Sequence, residues 1–180
     1  HPSPLTLTIL TMFIDSHCHI TFPGLAERVP ELLAAMARNQ VTHALCVSVE
    51  LAAFPQILNL AEQHPNIFAS VGVHPDHEDC AEPDVEQLVA LASHPKVVAV
   101  GETGLDYFRL TGDLEWQRER FRVHIRAARA CALPLVVHTR SASRDTLDLL
   151  REEGGGAVQG VFHCFTETQE VADAALDMGF

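Results

Sequence analysis

Positive charge is what this sequence has least of. Lysine and arginine total 12 against 24 aspartates and glutamates, a formal net charge of −12 at pH 7. A chain this acidic lacks the basic face by which proteins capture nucleic acid broadly. It can still hold a site that engages one phosphate at a time, because bound cations are the largest local charges where they occur. Also missing is any apolar run of the roughly 18 residues that a membrane span needs. The apolar start from Leu5 to Ile14 has neither a basic leader nor a small-residue cleavage site, so no secretory signal is expected. Close cysteine pairs are absent. Five scattered cysteines, an odd number, point to a reducing compartment and a cytoplasmic location. Cys18 and Cys164 each adjoin a histidine and read as small packed hydrophobes. No glycine-rich phosphate loop follows the first strand-like run; Gly154 to Gly156 come after a helical stretch and read as its stop.

Apolar residues make up 47% of the 180, with mean hydropathy +0.10, enough for one domain with a real core. From Phe13 onward, β-rich runs alternate with amphipathic ones. "VTHALCVSV", "NIFASVGV", "KVVAVG", "LPLVVH" and "AVQGVFH" read as strands, apolar on both faces and bounded by Pro, Gly or Asn. Stretches from Ala26 and from Leu114 read as helices; in the second, Trp116, Phe121, Ile125 and Ala128 recur at helical spacing with arginines opposite. Asp84 and Asp113 stand where helix N-caps belong. The alternation implies an α/β fold with a parallel sheet. Expected strand ends near residues 19, 49, 74, 102, 138 and 163 recur about every 29 residues, close to the unit length of a TIM-type (β/α)8 barrel. At that spacing the chain holds about six βα units, and the expectation is that the C-terminal part of the barrel is missing. Residues 12–180 are read as the incomplete barrel domain, and residues 1–11 as an N-terminal extension, an expression remnant or a misassigned start.

The strand ends carry metal-binding side chains. In "MFIDSHCHI", His17 and His19 are two apart on a strand and share a face, with Asp15 deeper on it. Alone, such a pair equally fits two polar residues bonded to backbone or water. The reading sharpens because "VVAVGE" stops at Glu102, "LPLVVH" at His138 and "GVFH" at His163. In a barrel these ends meet at one mouth. Four imidazoles and a carboxylate exceed the needs of one tetrahedral ion, so two divalent ions (Zn, Mn or Mg) are expected. His74 also ends a strand and is read as facing substrate or supporting a ligand, with direct ligation open. Arg140 reads as an anion clamp or as a solvated loop residue. His43, His64, His94 and His124 read as surface or packing residues, and Asp76 and His77 as edging the mouth.

"FIDSHCH", "GVHPD", "GETGLDYF", "LPLVVHTR" and "FHCFTE", in this order, resemble the TatD family of metal-dependent deoxyribonucleases among the amidohydrolase-like barrels. The resemblance implies that His17, His19, Glu102, His138 and His163 are metal ligands, with Glu102 reaching both ions as the catalytic bridge. It implies hydrolysis of phosphodiesters in single-stranded or 3′-end DNA. It also implies an aspartate ligand on a late strand, absent from this chain, and a glycine where Glu167 stands. Three functions remain in view: a two-metal deoxyribonuclease, a metal-dependent hydrolase of a small amide, lactone or ester, and an inactive fragment of such an enzyme. Neither a membrane partner nor an oligomeric state is indicated.

Overall fold

β-branched runs bounded by turn residues become strands, and the amphipathic segments between them become the helices that cover the sheet. The computed structural model describes residues 12–180, so the expected extension over 1–11 lies outside the described residues. The strands are β1 (Phe13–Cys18), β2 (Val41–Cys46), β3 (Ile67–Val71), β4 (Val97–Asp106), β5 (Leu135–Arg140) and β6 (Gly160–Phe162). The α-helices are α1 (Val29–Arg38), α2 (Phe54–Gln63), α3 (Val85–Ala92), α4 (Glu115–Cys131), α5 (Ser143–Gly154) and α6 (Gln169–Asp177). Every neighbouring pair of strands is parallel, in the order β1-β2-β3-β4-β5-β6.

The sheet is strongly curled. Paired strands lie roughly 4.8 Å apart, so a flat sheet would separate β1 from β6 by about 24 Å. Yet the ring of His17, on β1, stacks on that of His163, just after β6, with 3.4 Å between centroids and 7° between planes. No pair of ordinary side chains bridges such a gap. The carboxyl ends are therefore drawn towards a common axis, and the chain forms six βα units of a TIM-type architecture.

Two apolar clusters hold the helices against the sheet. Ile57, Leu60, Ile67, Val71 and Leu88 belong to one; Phe121, Ile125, Leu135, Val137 and Leu150 belong to the other. The helical spacing in α4 is realised, with Phe121, Ile125 and Ala128 buried. Asp84 caps α3 by accepting the Gln87 N–H at 2.7 Å. Asp113 sits one residue before the N-cap of α4 and accepts the Glu115 N–H instead. Gly155 ends α5 in the left-handed region, at φ 55°.

Two departures on α4 and β4 matter to function. Arg120 does not face solvent with the other arginines. It is buried, stacks over Trp116, pairs with Glu82 and donates to the His74 carbonyl at 3.1 Å. Strand β4 continues four residues past Glu102, because Gly104, Leu105 and Asp106 pair with His138, Thr139 and Arg140.

His124 is a packing residue, fully buried. Its Nδ1–H donates to the Arg120 carbonyl at 2.8 Å, and Nε2 accepts the Val73 N–H at 3.0 Å. Burial pushes it down from 6.5 to about 4. As pH falls, the unfolded chain takes up this proton first. The stabilisation is complete above pH 6.5 and is lost between 6.5 and 4, by about 3 kcal/mol. Urea midpoints at pH 7 and 4.5 should record that loss in the native chain and a much smaller one in His124→Gln. Equal acid losses would place the titration elsewhere.

Candidate metal centre

Glu102 stands at the centre of the converging strand ends. It is 4% exposed, and its backbone N–H donates to the Ser48 carbonyl at 2.7 Å. The buried hydroxyls of Ser48 and Ser70 donate to the carbonyls of Gly72 and Gly101, bracing the backbone beside it. Two sets of donor atoms gather around its carboxylate, each within 4.8 Å: His17, His19 and Glu102 in one, His74, Glu102 and His138 in the other.

Three imidazoles are oriented from behind. His19 donates Nδ1–H to the Val47 carbonyl at 3.1 Å. His74 is held through Nδ1 by Asp76. His138 is held through Nε2 by the buried Asp106 at 3.0 Å. Each bond fixes the tautomer and turns the other nitrogen's lone pair inward. The inward atoms crowd together. His19 Nε2 lies 3.2 Å from His17 Nε2, His74 Nε2 lies 3.2 Å from His138 Nδ1, and His17 Nε2 lies 3.2 Å from Glu102. The second pair also faces Glu102, at 3.6 and 3.5 Å. Lone pairs aimed at one another and at a carboxylate repel unless positive charge sits among them. Protons or divalent cations supply it, and this nitrogen–oxygen donor set suits Zn or Mn.

The pKa directions follow from this crowding. Burial opposes the charge on Glu102, yet the hydrogen bonds from His138 and His17 and the charge of His74 hold it well below the usual carboxylate range. Burial pushes His19, His74 and His163 down, and a neighbouring imidazole adds to the effect in each case. Burial acts the same way on His138, but Glu102 and Asp106 outweigh it and raise the pKa.

Of the five residues expected as ligands, His17, His19, Glu102 and His138 fall within the two sets. His163 does not; it stacks on the ring of His17 and lines the cavity. His74 joins Glu102 and His138 in the second set. Asp15 does not point into this centre: it is exposed and accepts the His17 backbone N–H at 3.1 Å. Asp76 edges the mouth, where it also pairs with Arg109. Asp106 was not singled out from the sequence, although its position four residues after Glu102 puts it on the same face of β4. A cavity of about 780 Å³ opens over the centre. Arg140 lines it, with its guanidinium 3.9 Å over the Phe108 ring and no ion pair or hydrogen bond to its side chain among the described residues.

Comparison with known proteins agrees with this geometry. Residues 14–180 match the model of the family described as "TatD related DNase". The chain is 41% identical over 171 residues to a protein of Escherichia coli K12 named "Uncharacterized metal-dependent hydrolase YcfH", covering 93% of this chain and 64% of that protein. It is 34% identical over 170 residues to the similarly named YabD of Bacillus subtilis, covering 94% of this chain and 67% of that one. Among solved structures, the TatD homologue YJJV of Escherichia coli superimposes with a TM-score of 0.84 at 29% identity, covering 94% of this chain and 66% of that one. The chain thus spans about two thirds of the length of these relatives. With this match along almost all of its own length, the chain belongs to the TatD-related DNase family.

Proposed function

We propose that this chain carries the metal centre of a divalent-metal-dependent hydrolase that cleaves phosphodiester bonds at the ends of DNA strands. One observation carries the reading: three imidazoles, each tied from outside by a carbonyl or carboxylate, turn their free nitrogens into two donor sets that share the buried carboxylate of Glu102. The family description contains the word DNase, and the relatives' names say metal-dependent hydrolase. In this reading His17 and His19 would hold one cation, His138 with His74 or His163 would hold the other, and Glu102 would serve both. Bound divalent cations supply Lewis-acid polarisation of a phosphoryl group and acidify coordinated water. The residues around them orient and select. Asp76 and Asp106 keep His74 and His138 turned inward, and His163 keeps the ring of His17 in place by stacking. Arg140, whose guanidinium has no ion pair among the described residues, is offered to a phosphate at the cavity wall. A cytoplasmic setting is part of the proposal, supported by five free cysteines. Among the described residues no helix is long and apolar enough to cross a membrane.

The rival reading, hydrolysis of a small ester, lactone or amide, is favoured by the net charge of −12. Cleavage of an end-labelled single-stranded oligonucleotide with Mg²⁺, Mn²⁺ or Zn²⁺ separates the two, run on this chain and on a version extended by about 80 residues. Shortened products, with bis-p-nitrophenyl phosphate preferred over p-nitrophenyl acetate, support the nuclease. Intact strands with every metal and both chains, alongside turnover of the acetate, would establish the rival.

A further inference from the structure

Three phenylalanines stand exposed in loops that follow the carboxyl ends of strands: Phe22 after β1, Phe108 after β4 and Phe165 after β6. Phe108 is the most open of them, at 62% exposure, in a loop directly after the strand that carries Glu102 and Asp106. One face of its ring is covered by the Arg140 guanidinium at 3.9 Å. That guanidinium lines the cavity over the metal-binding cluster and meets no other partner among the described residues. Phe22, stacked on His19 with ring centroids 4.5 Å apart, lines the same cavity. Among the described residues the cavity lining carries two arginines, Arg109 and Arg140, in a chain of net charge −12. A polyanion held here must draw on flat π surfaces and a few guanidinium contacts in place of broad charge attraction.

We infer that Phe108, backed by Arg140, is a stacking platform for an unpaired base of a DNA strand whose phosphate lies over the metal centre. With the guanidinium seated over one face of the ring, the other face is left for a base, and the edge of the guanidinium stays free to donate to the adjoining phosphate. This rests on the nucleic-acid reading above. It adds a specificity element to it: the protein holds the base by its flat face, independently of base identity, and rejects duplex ends whose bases stay stacked.

Fluorescence anisotropy with two uncleavable probes tests this: phosphorothioate hexathymidylate and a phosphorothioate strand of equal length made of abasic units, both in Mn²⁺. The native chain should bind the base-bearing strand about ten-fold more tightly, Phe108→Leu should bring the ratio to about one, and Phe108→Trp should preserve it. A native ratio of one, or a ratio unchanged in Phe108→Leu, overturns the stacking role while leaving the nuclease reading intact. Binding of neither probe by the native chain overturns both.

Discussion

Glu102→Gln should lower metal-dependent turnover of bis-p-nitrophenyl phosphate by about a thousand-fold, which corresponds to about 4 kcal/mol of lost transition-state stabilisation. The amide keeps the shape of the side chain and removes the one negative charge towards which His17, His74 and His138 all point. Without it, the inward nitrogens are left to repel one another and any cation among them. Bound metal per chain, measured by elemental analysis after gel filtration, should fall in parallel, with the far-ultraviolet circular dichroism unchanged. Asp106→Asn gives a useful scale: it removes the charge that orients His138 while an amide oxygen can still accept the Phe108 and Arg109 N–H groups, and it should cost about 10- to 100-fold. A Glu102→Gln protein with native metal content and a rate within about ten-fold of the native one would remove Glu102 from the centre of the reaction.

The largest effect on stability is expected for Gly104→Ala. Gly104 has φ +137°, and a Cβ built on it would lie 1.9 Å from the His138 carbonyl oxygen and 2.9 Å from its carbon. Both atoms are backbone on the neighbouring strand, paired in register with Gly104 itself. The chain can make room only by parting β4 from β5 or by moving His138. Backbone strain and overpacking each cost roughly 1–3 kcal/mol, so a loss of about 4 kcal/mol is expected in urea unfolding. Because the displaced carbonyl belongs to His138, residual folded protein should also bind metal more weakly. A variant within about 1 kcal/mol of the native chain would show that β4 and β5 are less closely paired here than described.

These two residues were not equally legible. Glu102 announces itself as the charged end of the apolar run "VVAVGE", and His138 does the same for "LPLVVH". Gly104 and Asp106 follow in "TGLDYF", which reads as loop until its pairing with β5 is known. The extra strand length comes from that pairing, so nothing local in β4 reveals it. Likewise, the arginines of α4 look alike along the chain, but only Arg120 meets the carboxylate of Glu82 and the ring of Trp116, and so is buried.

The alternation of strands and helices, the parallel sheet, the two-apart histidines on β1 and the metal-binding character of the strand ends are all legible in the order of the residues. Periodicity and residue chemistry are local properties, and these conclusions need nothing more. The curl of the sheet brings His74 into one donor set with His138 and Glu102, stacks His163 on His17, and lets Asp76 and Asp106 set the tautomers of His74 and His138. Spacing along a strand tells which side chains share its face. Which donors from different strands come within a few ångströms depends on the curl of the sheet and the register between strands, and both arise from packing across the whole domain.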